Sequence, residues 1–327
     1  MRRLFRNLAI LFLAALATVR PAAAADKIVL GTNWFAEAEH GGFYQALATG
    51  LYRDQGLDVT IKMGGPQVSG IPLLAGGLID IWMGYDFQTL KAREQGIPVV
   101  TIAAFFQKDP QAILAHPDVK TFADLKGRTL FIAPNSDINF WPWLKAKYGL
   151  ADAQKRPYGF SVVPFLADPN AAQQGLVTSE PFAIEKGGVT PTILLMADAG
   201  FPPYATTLVT LDKTAAQRAD ALARFVKASA EGWKSYLADP APGNALIKRD
   251  NPRITDDQLA FSVAQMKAFA IVTGGDAAAS GIGTMTEQRW QKTRDVMVEN
   301  HLLPATVDVR QAYTLRFLKD LPLPAAN

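Results

Sequence analysis

Residues 28–50 read IVLGTNWFAEAEHGGFYQALATG. An apolar run at 28–31 leads straight into a turn, and apolar residues then recur at helical spacing: Phe43, Ala46, Leu47 and Gly50. A strand is handing over to a helix. A connection of this kind needs roughly two to six residues and one good cap. This one holds Trp34, Phe35, Glu37, Glu39, His40 and the pair Gly41-Gly42. That is more side-chain chemistry than a turn requires. The expectation is that residues 33–42 wall a ligand cleft, with the glycine pair letting backbone approach closely at the helix start.

Working outward, the same handover repeats. Strands are expected at 27–31, 57–61, 78–84 and 98–106, alternating with helices at 39–53, 71–75 and 87–94. A second unit begins after Gln107, with strands at 111–115, 128–134, 160–165, 175–179 and 192–196. Helical segments fall at 121–127, 137–149 and 181–188, with Pro142 in the first turns of the middle one. The chain returns through 201–212 into a long helix whose apolar face carries Leu222, Phe225, Val226, Trp233 and Tyr236. Thr255 with Gln258 forms a capping box, 284–287 a second helix start before Trp290, and Asp308 caps a final helix through Leu318. Such alternation gives an α/β fold, each unit a mostly parallel sheet flanked by helices.

Residues 1–25 read as a cleavable signal peptide. Arg2, Arg3 and Arg6 precede an apolar run at 8–19, and Ala23-Ala24-Ala25 supplies the small-residue cleavage site. The run is short for a bilayer span. The leader implies export to a periplasm. It holds four of the 33 basic residues and none of the 30 acidic ones, so the formal +3 becomes a slight acidic excess in the remainder. Nucleic acid and acidic membrane surfaces lose their electrostatic warrant. The chain has no cysteine, which excludes disulfides, thiolate metal sites and a cysteine nucleophile.

Catalytic signatures are missing too. There is no phosphate-binding loop, no nucleophile elbow and no zinc-protease motif, and His40, His116 and His301 are scattered. No catalytic residue, metal or cofactor is assigned. Chemistry collects instead at the expected C-terminal ends of strands, where open parallel sheets bind ligands. The candidates are Asn33, Trp34, Phe35 and His40, then Gly64, then Tyr85 and Asp86. In the second unit they are Asn135, Ser136, Phe140 and Trp141, then Ser179 and Glu180.

The chain resembles periplasmic solute-binding proteins of ABC importers, in the branch that includes thiamine-pyrimidine-precursor and sulfonate/nitrate binders. The resemblance rests on N-W-F…E-H-G-G-F-Y-Q-A…G-L-Y…G-L-D-V at 33–59, G-G-P at 64–66 and L-x-x-G-x-x-D at 74–80. D-L-K-G at 124–127, V-T-S-E-P-F at 177–182 and G-x-G-x-M-T-x-x-R-W at 281–290 extend it over nearly all of the chain after the leader. It implies a two-lobed periplasmic-binding-protein fold of type 2, with a hinge and a C-terminal helical segment. Lobe 1 would comprise 26–106 and 205–327, with lobe 2 inserted at 107–204. It further implies a monomer that is no enzyme, closes over one small-molecule solute and delivers it to a permease in the inner membrane.

The solute class is argued from the candidates. Trp34, Phe35, Tyr85, Phe140 and Trp141 offer flat surfaces for a planar ring. Asp86 and Glu180 are the expected charges, suited to an aminopyrimidine N–H and a shared ring proton. A sulfonate needs cations or helix N-termini, and no arginine or lysine stands in the strand-end clusters. The reading is a thiamine-pyrimidine-precursor-like solute, with a flavin, sulfonate or other aromatic solute as alternatives. A eukaryotic group with the same fold acts as a pyridoxal-phosphate-using pyrimidine synthase. That alternative asks for a lysine–imine site and a cysteine-containing iron motif.

Overall fold

The computed structural model describes residues 24–325. The signal peptide read at 1–25 lies outside the described residues except for its last two. The first sheet comprises β1 (Asp26–Gly31), β2 (Leu57–Lys62), β3 (Ile81–Gly84), β4 (Val99–Phe106) and β10 (Ala205–Leu211), in the order β2-β1-β3-β10-β4. β10 runs antiparallel between β3 and β4, while β1 pairs in parallel with both β2 and β3. The second sheet comprises β5 (Gln111–Ala115), β6 (Thr129–Ile132), β7 (Lys155–Pro157), β8 (Ala171–Leu176) and β9 (Thr192–Leu195), in the order β7-β6-β8-β5-β9. Here β5 is the antiparallel strand, against both β8 and β9. The chain therefore crosses between the sheets twice, from β4 to β5 and from β9 to β10.

The helices that position the site are α1 (Gly41–Ala48), α2 (Asp86–Glu94), α3 (Phe140–Tyr148), α4 (Glu180–Lys186), α5 (Ala219–Ala238), α6 (Ala241–Asp250), α7 (Asp256–Ala268) and α8 (Glu287–Glu299). Thr255 and Thr286 cap α7 and α8, accepting from the backbone N–H of Gln258 and Arg289. The helix expected at 39–53 is broken. Gly50 takes a left-handed φ of 80°, so α1 stops at Ala48 and a single turn, Leu51–Asp54, follows.

Three expectations fail locally. Residues 160–165 are not a strand: the strand is the short β7, and Val163–Ala167 is helical with Pro164 in its first turn. The strand expected at 175–179 is β8, which begins earlier, at Ala171. Its polar Gln173-Gln174 hides it from an apolar-run criterion, but Ala171, Ala172 and Gly175 are small enough for a central strand in a crowded sheet. The final helix shrinks to a turn at Val309–Gln311. The segment beyond it lies along the edge of β4 instead: Thr101 donates to the Ala312 carbonyl and accepts from Thr314 N–H. That covers backbone groups an edge strand would otherwise expose.

The glycines of α1 serve packing, not a ligand. A Cβ on Gly41 would fall 2.1 Å from the Tyr236 ring, and one on Gly42 2.2 Å from Trp233. From the other side, a Cβ on Gly232 would lie 2.3 Å from the Gly42 carbonyl oxygen and 2.7 Å from Ala46 Cβ. α1 and α5 thus pack glycine against ring and against backbone. Gly232→Ala gains helix propensity but overpacks this contact. It should lower stability by about 1–3 kcal/mol, read as a lower midpoint in chemical unfolding.

Candidate binding cleft

The turn after β1 is held open by its own hydrogen bonds. The Thr32 hydroxyl donates to the Trp34 carbonyl (2.9 Å) and accepts from Gly64 N–H (3.0 Å). With α1 fixed against α5, this turn can only project toward the second sheet. A cavity of about 790 Å³ lies there, lined by both lobes. The first supplies Asn33, Trp34, Glu37, Glu39, His40 and Tyr85; the second supplies Asn135, Ser136, Tyr158, Phe160, Gln174, Ser179 and Glu180.

Three carboxylates line it, Glu37 and Glu39 from the first lobe and Glu180 from the second. Burial raises Glu37 well above its ordinary range, and the charges of Glu39 and Glu180 raise it further. Burial also lifts Glu39 to about 7, and the charge of Glu180 adds to the rise. Glu39 Oε1 is buried without a hydrogen-bond partner. Glu180 is raised by burial but is well anchored: Leu176 N–H donates to Oε2 (2.7 Å) and the Tyr158 hydroxyl to Oε1 (3.0 Å). His40 is fully buried and its pKa is pushed down to about 3, so it is neutral at physiological pH. Its Nε2 lies 3.3 Å from Asn33 Oδ1, and its Nδ1 has no partner. With Asn33 Oδ1 accepting, Nε2 carries the proton and Nδ1 presents a lone pair.

On the second-lobe wall, Gln174 Oε1 accepts from Ala133 N–H (2.7 Å) and the Ser136 hydroxyl (2.8 Å). The lining cation is Lys91, which donates to the Leu302 carbonyl and pairs with Glu94. The cavity therefore combines aromatic faces with acceptors and carries little positive charge.

The structure brings eight of the sequence candidates to the cavity: Asn33, Trp34, His40, Tyr85, Asn135, Ser136, Ser179 and Glu180. Five lie elsewhere. Asp86 is fully buried, accepting from Tyr204 N–H (2.9 Å), the Thr293 hydroxyl (3.0 Å) and Phe87 N–H (2.7 Å), so it ties α2 to β10 and α8. Phe140 and Trp141 open α3 but turn into the second-lobe core, where Trp141 Nε1 donates to Asp152 (2.8 Å). Phe35 packs edge-on to Trp34 with the Arg253 guanidinium over its face. Gly64 is a close-packing position, since a Cβ there would sit 1.9 Å from the Thr32 carbonyl oxygen.

Sequence reasoning missed Glu37, Glu39, Tyr158, Phe160 and Gln174. The two glutamates stand inside the quoted stretch and carried the signal. Tyr158 and Phe160 follow β7 and Gln174 lies within β8, two strands whose positions were misread, so no strand-end rule could reach them.

A family model described as NMT1/THI5 like matches residues 37–242, and the chain belongs to that family. It is 28% identical over 324 residues to the riboflavin-binding protein RibY of Chloroflexus aurantiacus, covering 93% of this chain and 91% of the relative. It is 26% identical over 247 residues to a formylaminopyrimidine-binding protein of Halalkalibacterium halodurans, covering 71% and 74%. The alkanesulfonate-binding protein SsuA of Xanthomonas axonopodis, solved with MOPS, superposes at a TM-score of 0.65 with 17% identity, covering 90% of this chain and 99% of that one. The shared architecture is the two-lobed periplasmic-binding-protein fold.

Two outcomes follow from the geometry. A carboxylate whose folded pKa is raised favours the folded state most below its ordinary value, and that share of stability is lost as the pH rises. For Glu39 the loss runs from about 4.5 up through about 7. Asp86, raised to about 6 by burial, and Asp109, raised to about 7, act in the same direction. The unfolding midpoint of the ligand-free protein should fall across this window, with a shallower fall in Glu39→Gln, by calorimetry at a series of pH values. Asp86→Ala strands three donors; it should lower stability by about 1–3 kcal/mol in denaturant titration yet leave solute affinity unchanged.

Proposed function

We propose that this NMT1/THI5-like chain is the periplasmic solute-capturing component of an ABC importer, and that its solute is a planar nitrogen heterocycle rich in N–H donors, of the thiamine-pyrimidine-precursor kind. The observation that carries this reading is the convergence of Glu37, Glu39 and Glu180 beside Trp34, with Lys91 engaged elsewhere. Left ionised and close together, these groups repel. A ring bearing an amino group and a basic nitrogen relieves that repulsion: the amino N–H donates to one carboxylate, and the ring nitrogen shares a proton with another. Glu180, aligned by Leu176 and Tyr158, is the pre-set acceptor, and Glu39 has a free buried oxygen. Trp34 supplies a stacking face worth about 0.5–1.5 kcal/mol beyond burial.

On this reading the solute also meets Asn33, His40, Tyr85, Ser136 and Gln174. Lobe 1 is residues 26–106 and 205–327, lobe 2 is 107–204, and closure of the two as a monomer removes water before delivery to an inner-membrane permease. A sulfonate fits poorly, because its charge would face the carboxylates. A flavin is the second reading: about 790 Å³ exceeds what a single ring fills, and the likeness to RibY spans nearly the whole chain. The synthase reading is weaker, since the chain has no cysteine and Lys91 is committed to Leu302 and Glu94.

The test is calorimetric titration of ligand-stripped protein with 4-amino-5-hydroxymethyl-2-methylpyrimidine, riboflavin and ethanesulfonate. The pyrimidine should bind, and Glu180→Gln and Trp34→Ala should each weaken it at least about tenfold, near 1.4 kcal/mol. Tight ethanesulfonate binding that survives Glu180→Gln would sink the heterocycle reading.

A further inference from the structure

Phe160 stands out as a residue that folding does not explain. It is 61% exposed, one of few large apolar side chains left in solvent among the described residues. Its backbone takes φ 58°, the left-handed region that a bulky L-residue enters at a cost. The preceding Gly159 has nothing within 4 Å of where a Cβ would stand, so the segment is open on that side. An aromatic ring held in solvent on a strained backbone is a feature with a use outside folding.

Its contacts show what that use is. The Phe160 ring lies 5.8 Å from Trp34, centroid to centroid and tilted 39°, which joins the two lobes across the cavity. It also lies 5.4 Å from Tyr158, whose hydroxyl holds Glu180. Glu180, Tyr158, Phe160 and Trp34 are thus linked in series, from an anchored carboxylate to a closed aromatic pair. A ring sandwiched between Trp34 and Phe160 would need parallel faces about 7 Å apart, twice the carbon–carbon contact distance. The observed pair is too close and too tilted for that. Phe160 therefore covers the cavity and does not stack on the far side of a solute lying against Trp34.

We propose that Phe160 is a specificity-determining residue of the cleft: a latch from lobe 2 that closes onto Trp34 above a bound planar solute and sets how long it stays. The proposal rests on the cleft reading given above. A flat ring lying beneath the pair keeps both aromatic faces covered, whereas a bulky or strongly hydrated solute holds the latch open. Selection then acts on release more than on capture, as is common among related complexes.

The test compares wild type with Phe160→Gly and Phe160→Tyr. Glycine occupies the left-handed region freely, so the first variant should keep its unfolding midpoint while losing the ring. Trp34 is half-buried and the other five tryptophans are buried, so acrylamide quenching of the ligand-free protein reports mainly on Trp34. Quenching should rise in Phe160→Gly and return in Phe160→Tyr. Stopped-flow release of riboflavin and of 4-amino-5-hydroxymethyl-2-methylpyrimidine should speed up at least about tenfold in Phe160→Gly, with capture rates changed far less. Unchanged release of a probe that binds would overturn the latch, and where neither probe binds, unchanged quenching does so. If Phe160→Gly behaves as wild type while Trp34→Ala and Glu180→Gln lose the probe, the latch falls and the cleft reading stands. If all three bind as wild type, the cleft reading itself falls, and the latch with it.

Discussion

The contact between α1 and α5 is the constraint on which the rest depends. Gly42 and Gly232 let two helix backbones meet, and the rings of Trp233 and Tyr236 fill the space beside them. Trp233 in turn packs against Phe43, Phe105 and Phe106, so this crossing is also where the helices join the first sheet. Gln45 continues the lock on the next turn, donating to Ser235 and Asp239 and accepting from Gly243 N–H. With α1 immobilised on three sides, the residues just before it have one direction left. Trp34, Glu37, Glu39 and His40 are presented to the cavity because the helix behind them cannot move.

That rigidity is what makes the electrostatics of the cleft tolerable. Burying several carboxylates near one another costs free energy unless they are protonated or partnered. The raised pKa of Glu37, Glu39 and Glu180 is the measure of that cost. A loose loop would swing its glutamates into water; this one is held by Thr32 and by α1. His40 adds no compensating charge, since burial keeps it neutral. A group that brought protons or N–H donors into the cavity would relieve that cost for both lobes, because the carboxylates come from both.

The lobes are also tied at the two chain crossings. Arg289, at the start of α8, donates to Pro202 (2.6 Å) and Gln107 carbonyls, one on each chain crossing, and its guanidinium lies over the Tyr204 ring. Gln107 itself donates to Ala104 and Thr284 carbonyls, and buried Asp109 accepts twice from Gln111. The G-x-G-x-M-T-x-x-R-W stretch noted in the sequence thus belongs to the joint between the lobes, beside the end of β4 and the start of β10. Its arginine satisfies backbone carbonyls that the crossings leave unpaired.

The sequence by itself determined the α/β alternation, most helix starts and the crowding of polar and aromatic side chains at residues 33–42, because these are local properties: apolar periodicity, capping residues and an excess of chemistry in a short turn. It could not rank the candidates within each cluster. Asp86 and Glu180 both follow buried strands, yet one ties three elements together in the core and the other faces the cavity; only the packing of α2, β10 and α8 around Asp86 decides this. Phe140 and Trp141 look like ligand-stacking rings until α3 is docked and turns both into the lobe-2 core. The Gln174 wall was hidden by a polar strand, and Tyr158 and Phe160 by a segment whose β-branched residues mimic a strand. Tertiary structure settled these points because direction, unlike propensity, is set by what lies on the other side of an element.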